Sequence, residues 1–139
     1  NGWPATVQTR SPLVLRDLEI LQAGAGFEAV FRVPTADDGV RELFEPHAPP
    51  IAGRIHALEV LQRAGIRTFV MIAPLLPGAE GLAELLAGKV ERVIFDRMNY
   101  NHAAWVYRKY GLLDKLSDEY YQAVRQELSA RFTALRIAC

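Results

Sequence analysis

Three charged side chains come at the carboxyl ends of segments that are predicted to be strands: Arg10, Arg32 and Asp96. In a parallel α/β sheet these ends meet at one edge, where such proteins bind ligands. A guanidinium group can grip a carboxylate with two parallel hydrogen bonds, so the arginines indicate anion binding. The pattern predicts a strand-end cleft. The alternative, solvated side chains at the surface ends of strands, stays open.

The stretch that must position this cleft is 66–78, which reads IRTFVMIAPLLPG. Its part from Thr68 to Ala73 carries no charge, which is typical of a strand buried on both faces of a parallel sheet. Pro74, Pro77 and Gly78 end the strand, because proline cannot donate to a β-ladder. We therefore expect the loop 73–78 to line the site.

The other elements alternate in type along the chain. Strands are predicted at 5–9, 27–33 and 90–96, with helices between them and a helical region from about 103 onwards. This alternation indicates a parallel sheet covered by helices. Four consecutive strands do not close a barrel, so two sheet edges need covering or pairing.

Three local signals predict where elements begin or end. Ser11 followed by Pro12 is typical of a capped helix start. Thr35 with Asp38 resembles a capping box for the next helix. The last six residues, 134–139, fit either a short final strand or a frayed tail.

Composition excludes several classes of protein. The 139 residues correspond to one domain or part of a larger protein, and half of them are apolar. Lys plus Arg equals Asp plus Glu at 16 each, so net charge gives no sign of nucleic-acid or anionic-lipid binding. No apolar run is long enough for a membrane span. We expect a cytoplasmic protein, and the opening Asn1 suggests a chain that begins in mid-protein.

Common metal and phosphate motifs are absent from the sequence. The histidines His47, His56 and His102 are far apart and lack ligand spacing. Cys139 is the only cysteine, and at the chain end we take it as incidental. The segment 78–81 lacks the Lys-Ser/Thr that follows a phosphate-binding loop.

The C-terminal region is rich in aromatic residues, which could stack on nucleic-acid bases. Their helical spacing instead favours packing of a helical cap onto the sheet. The residues concerned are Trp105, Tyr107, Tyr110, Tyr120 and Tyr121.

Five segments in register resemble one protein family. Residues 9–17 read TRSPLVLRD and are similar to the "TKSpLvlRDidlL" stretch of radical S-adenosylmethionine proteins related to spore photoproduct lyase. The other similar segments are LFEP with AP at 43–49, the spaced Arg54, Ala57, Leu58, Leu61 and Ala64–Ile66, IAPLLPG at 72–78 and DRMN at 96–99.

The resemblance implies the C-terminal part of a partial (β/α)6 TIM-like barrel, in which this chain supplies four mainly parallel strands with covering helices. Residues 1–100 would form the second half of the barrel, and residues 101–139 a C-terminal helical extension. The missing N-terminal half of the barrel is then the expected partner, and the exposed sheet edges also allow a homodimer.

The resemblance further implies a radical S-adenosylmethionine enzyme that uses a [4Fe–4S] cluster and 5′-deoxyadenosyl radical chemistry, in a family that includes a DNA-repair lyase. Three thiolates hold such a cluster, and this chain lacks them and the glycine-rich segment that holds the methionine amine. We expect the full-length protein to be the enzyme. The chain alone would hold neither metal nor cofactor, and it would supply the cofactor- and substrate-facing strand ends.

The family's site residues are carried over by position. Arg10 stands where relatives have a lysine near the cofactor carboxylate, and Arg32 stands where they have a serine. The predicted cofactor-binding residues are Arg10, Ser11, Arg32, Ala73 and Pro74, and the predicted substrate residues are Asp96, Arg97 and Asn99. No residue is given a catalytic role, and the substrate, a small molecule or a nucleic acid, is left open.

Two alternatives stay open beside this interpretation. The first is a non-catalytic half-barrel module that dimerises or pairs with a partner chain and binds a small anion. The second is an unrelated α/β enzyme that uses Arg10, Arg32 and Asp96. We expect Glu45 and Arg54 to form a structural ion pair rather than to act in catalysis.

Overall fold

A computed structural model describes residues 4–24, 26–98 and 101–139. These residues form four strands and six α-helices. They are β1 Ala5–Thr9, α1 Leu18–Ala23, β2 Phe27–Arg32, α2 Asp38–Phe44, α3 Ile51–Arg63, β3 Arg67–Ile72, α4 Leu82–Leu86, β4 Val93–Phe95, α5 Ala104–Lys109 and α6 Asp118–Ala134. Short 3-10 helices cover Pro12–Asp17, Ala79–Gly81, Asn101–Ala103 and Leu113–Leu116.

The strands form one sheet in the order β1-β2-β3-β4, and every neighbouring pair is parallel. In this register Arg32 at the end of β2 lies beside Met71, and Ile72 at the end of β3 lies beside Phe95. The carboxyl ends of the strands therefore meet at one edge. The predicted α/β class with four parallel strands is confirmed, while the six-stranded partial barrel stays a prediction.

Burial differs between the central and the edge strands. In β3, Phe69, Val70 and Ile72 are buried, as the uncharged run predicts. Strand β1 differs from β3, because its residues Ala5, Thr6 and Gln8 are exposed. In the described part of the chain no strand pairs with the outer side of β1, so this strand is an open edge of the sheet.

The C-terminal residues cover the opposite edge. The amide of Ala138 donates to the carbonyl of Glu91 at 2.9 Å, and its own carbonyl accepts from the amide of Val93 at 2.8 Å. The sequence left two alternatives open for residues 134–139, a short final strand and a frayed tail. The pairing of Ala138 is strand-like and favours the first. One hydrophobic core includes Leu128 and Phe132 of α6 together with residues of α1, β2, α3, β3, α4 and β4.

Local start signals are partly confirmed. The Ser11 hydroxyl accepts from the amide of Leu13, but the helix that follows Pro12 begins as a 3-10 turn and becomes α-helical only at Leu18. The Thr35–Asp38 capping box is wrong, because the Asp37 carboxylate caps α2. Strand β4 is also shorter than predicted.

Candidate functional site

A cleft of about 380 Å³ opens at the carboxyl ends of β2, β3 and β4. Its lining combines residues that are distant in sequence, from the end of β2, from the loop after β3 and from the segment after β4. The lining residues are Arg32, Ala73, Pro74, Asp96, Arg97, Met98, His102 and Ala103. Five of the eight residues that the sequence singled out therefore lie in one cleft. Their division into cofactor and substrate contacts stays a prediction.

Two other predicted residues lie in a neighbouring depression. Arg10 and Ser11 line a second cavity of about 530 Å³ together with Glu45 and His47. The Arg10 guanidinium binds Glu45 there, with 2.8 Å between Nη1 and Oε1. Asn99, the eighth predicted residue, lies outside the described residues.

Arg32 is fixed in the cleft by a backbone carbonyl. Its Nε and Nη2 both donate to the carbonyl oxygen of Ala73, at 3.3 and 2.9 Å. These two bonds tie the end of β2 to the start of the loop that follows β3. Arg32 is half-buried, and the two hydrogen bonds set the orientation of its guanidinium.

A buried ion pair between Arg54 and Glu45 holds the backbone of Arg32 in place. Arg54 of α3 is fully buried, and its Nη2 lies 2.7 Å from Oε2 of Glu45. Its Nη1 donates to the carbonyl of Arg32 at 2.9 Å, and its Nε donates to the carbonyl of Pro49 at 3.0 Å. Glu45 also accepts from Arg10, so one carboxylate serves two guanidinium groups. The predicted Glu45–Arg54 pair is confirmed.

Asp38 extends this support to the start of α3. Its Oδ1 accepts from Nε of Arg41 at 2.5 Å and from the amide of Ile51 at 3.2 Å. Burial pushes the pKa of Asp38 upward, but the hydrogen bonds from Arg41 and Ile51 and the nearby guanidinium charges outweigh it and leave the pKa lowered. The carboxylate is therefore ionised at neutral pH and caps α3, which has proline at its own N-cap position.

The loop 73–78 is held against the segment after β2. The buried hydroxyl of Thr35 donates to the carbonyl of Pro77 at 2.7 Å. The amide of Leu75 donates to the carbonyl of Asp96, which ties the same loop to the end of β4. The Ala73–Pro74 peptide bond is cis. These contacts make the loop a fixed wall of the cleft.

Gly78 is the position in this loop where a side chain cannot fit. Its φ is +81°, and a Cβ there would lie 2.8 Å from Oγ1 of Thr35. We expect Gly78→Ala to lower the free energy of unfolding by roughly 2–3 kcal/mol, from left-handed strain and from overpacking. Gly88→Ala is the matched control, since φ is +70° and nothing lies within 4 Å. Urea unfolding measures both, and equal losses would show that Thr35 yields without a penalty.

A small pocket beside the cleft shares Arg97 and Met98 with it and is lined by Tyr107 and Tyr120 of the C-terminal region. Burial raises the pKa of Tyr107 to about 12, so its phenol stays neutral at physiological pH. Tyr120 donates to Oε1 of Glu80 at 2.8 Å, and burial together with that carboxylate raises its pKa above the usual value. The prediction that all the aromatic residues pack onto the sheet is wrong for Trp105 and Tyr110, which are 59% and 43% exposed.

Sequence reasoning missed His102, Met98 and Ala103 in the lining of the cleft and the buried Arg41 in its support. His102 lines the cleft, although it was considered only as a metal ligand. Arg41 is buried beside Asp38, and its charge gave no reason to expect burial. The i,i+3 spacing of Asp38 and Arg41 on one helix was the signal that could have revealed the pair.

The described residues lack two features, a cluster of metal ligands and a membrane-spanning helix. Among the side chains of 4–24, 26–98 and 101–139, no group of three or more His, Cys, Asp or Glu is placed to hold a metal ion. None of the helices in that part of the chain combines the length and the apolar character that crossing a bilayer demands.

Sequence comparison finds two relatives of undefined function. An uncharacterized protein of Methanocaldococcus jannaschii is 29% identical over 72 residues, which are 52% of this chain and 28% of the relative. An uncharacterized protein of Acidianus two-tailed virus is 32% identical over 78 residues, which are 55% of this chain and 26% of the relative. The matched region thus spans less than a third of either curated relative. No protein-family model matches the chain.

Structure comparison gives a likeness over nearly the whole chain. A solved structure of spore photoproduct lyase, in complex with dinucleoside spore photoproduct, matches with a TM-score of 0.66 and 17% sequence identity. The match covers 95% of this chain and 48% of the lyase chain. At this identity the likeness concerns the fold alone. The four-stranded parallel sheet with its helices is therefore similar in fold to about half of spore photoproduct lyase.

Proposed function

We propose that this chain is part of a radical S-adenosylmethionine enzyme, in which it supplies strand ends that face cofactor and substrate. The observation that carries the proposal is the single cleft formed by Arg32, Ala73, Pro74, Asp96 and Arg97. These residues come from three strand ends, and the family resemblance gives each of them a place at the cofactor or the substrate. The likeness in fold to spore photoproduct lyase supports the same proposal.

The residues of the cleft fit the chemistry of S-adenosylmethionine. A volume of about 380 Å³ lies within the range of about 300–1,000 Å³ that is usual for ligand sites. By the family resemblance Arg10 would bind the carboxylate of this cofactor, and in the cleft Asp96 has the charge that suits its sulfonium. Ala73 and Pro74 offer an apolar wall to the adenosine. When bound and cleaved by a reduced cluster, the cofactor supplies a radical that abstracts hydrogen.

The described residues do not fit a [4Fe–4S] cluster. Such clusters need several thiolates, whereas Cys139 is the only cysteine and is exposed near the end of the chain. The cluster therefore enters the proposal only through a longer protein. The part of the work that we propose for this chain is to orient cofactor and substrate and to exclude water from the strand ends.

The test uses the full-length protein that contains this chain. We expect a Cys-x3-Cys-x2-Cys motif in it and, after anaerobic iron reconstitution and reduction, formation of 5′-deoxyadenosine from S-adenosylmethionine. Alanine in place of the three cysteines should abolish this product. A full-length protein without the motif, or one that binds the cluster and leaves the cofactor intact, would contradict the proposal.

The open edge of β1 favours a second candidate, a half-barrel module that pairs with itself or with another chain. Its five residues, ATVQT, include no charge, and native edges usually carry charges or prolines that prevent pairing. This candidate predicts that the 139-residue chain sediments as a dimer and that Thr6→Lys on the exposed edge makes it monomeric. A monomeric wild-type chain would leave only the pairing with another chain.

A further inference from the structure

The buried or half-buried arginines near the cleft differ in how their charges are balanced. Arg54 pairs with Glu45 at 2.7 Å, and Arg41 pairs with Asp38 at 2.5 Å. Arg32 binds only the neutral carbonyl of Ala73 and makes no ion pair with any carboxylate in the described residues. A cation that is partly removed from water without an anion is costly, so its retention calls for an explanation.

Arg32 is also held ready for a ligand. Arg54 fixes its backbone carbonyl, and Ala73 fixes its side chain through two of the five N–H donors of the guanidinium. A side chain that is already ordered loses little conformational entropy when it binds, which favours affinity. The guanidinium lines the open cleft of about 380 Å³.

The other charged groups of the cleft do not neutralise Arg32. Arg97 carries the same charge and pairs with Asp118 at 2.8 Å, where both side chains are largely exposed. Asp96 is the only carboxylate in the lining, and no ion pair joins it to Arg32 within the described parts of the chain. Arg32 is therefore the guanidinium of the lining that has no carboxylate partner among the described residues.

We infer that the cleft binds a small molecule with a carboxylate or phosphate group, and that Arg32 is the residue that selects for this group. The inference deepens the function proposed above, and it rests on that proposal only in taking the bound anion to be part of the substrate. The anion site itself lies entirely within this chain. It needs neither iron nor S-adenosylmethionine.

The test is nuclear magnetic resonance on the 139-residue chain, titrated separately with sodium phosphate and sodium acetate and with sodium chloride as the ionic-strength control. We expect saturable shifts of the Arg32 Nε–H and of amides around Ala73 and Met98 with one of the two probes, which identifies the preferred group. Sodium chloride should leave these signals in place. Because no iron is present, failure here is distinguishable from failure of the radical enzyme proposal.

Two variants and a control complete the test. Arg32→Gln should weaken binding about tenfold or more, since a charge-assisted pair is lost, while Arg32→Lys should weaken it less because the charge remains. Arg16→Gln, at a side chain that is 76% exposed, should bind as the wild type does. The inference is overturned if Arg32→Gln binds as tightly as the wild type. It is overturned equally if the wild-type Arg32 signal does not respond at probe concentrations on the order of 10 mM. The same holds if the only signals that shift are those of exposed Lys and Arg side chains outside the cleft.

Discussion

Glu45→Gln is expected to lower the free energy of unfolding by about 3–5 kcal/mol, because it leaves a buried guanidinium without a counter-charge. Arg54 is fully buried, and Glu45 is its carboxylate partner at 2.7 Å. Glutamine keeps the shape and one acceptor but removes the charge. Urea unfolding at neutral pH measures the loss, which would be a large fraction of the stability of an ordinary domain.

A double-mutant cycle separates the pair from the shape of its side chains. Arg54→Met alone should also destabilise, since the carbonyls of Arg32 and Pro49 lose their donor. With both changes present, the loss of unfolding free energy should be about 2–3 kcal/mol smaller than the sum of the two single losses. Each single change leaves one partner with an unpaired charge, whereas the double mutant removes both charges.

Asp17→Asn is the matched control for the cycle. It removes the carboxylate of a surface ion pair whose atoms lie 3.9 Å apart, and we expect a change below about 0.5 kcal/mol. If Glu45→Gln proves as mild as this control, the arginine network does not hold the strand ends together. The anion site around Arg32 would then lack the support assigned to it.

The fold was predictable where local pattern and burial agree. The uncharged run before Pro74 indicated a central parallel strand, and β3 is that strand. The polar residues at the strand ends could be placed at one edge because parallel strands align their carboxyl ends. Arg32, Asp96 and Arg97 accordingly share a cleft, although they are up to 65 residues apart.

The partners of charged residues were less predictable. The Glu45–Arg54 pair was expected from nearness in sequence, but the sharing of Glu45 with Arg10 depends on how β1 and α2 pack. Arg10 was expected beside a cofactor carboxylate, and in the folded chain it is already bound to a carboxylate of the protein. Whether it exchanges Glu45 for a ligand is a matter of competing free energies, which no sequence pattern encodes.

The helix caps show a similar limit. Thr35 and Asp38 have the three-residue spacing of a capping box. The side chain of an aspartate, however, is one methylene shorter than that of the glutamate that usually makes the reciprocal bond. Asp37 caps α2 instead, and Thr35 turns to the carbonyl of Pro77, where it fixes the cleft wall. Asp38 caps α3, thirteen residues away. Tertiary contacts decide which acceptor serves which donor.

Phe132→Ala is the second change with a large expected effect, about 3–5 kcal/mol, because it opens a cavity in the core. Phe132 is fully buried on α6, and its ring centroid lies 6.1 Å from that of Phe95 in β4. Ile137, near the paired Ala138, belongs to the same core. Loss of the ring should therefore also loosen the C-terminal residues that cover the edge of β4.

Leu135→Ala is the control for this change, since Leu135 lies just beyond α6 and is 45% exposed. We expect it to alter the unfolding free energy by less than about 0.5 kcal/mol. Hydrogen exchange adds a local measure, because the amides of Val93 and Ala138 should lose protection together in Phe132→Ala. If they stay protected while the sheet as a whole is destabilised, the tail is held by its backbone bonds alone. A single cooperative loss would instead mean that the C-terminal helix and the strand ends that line the cleft are stabilised as one unit.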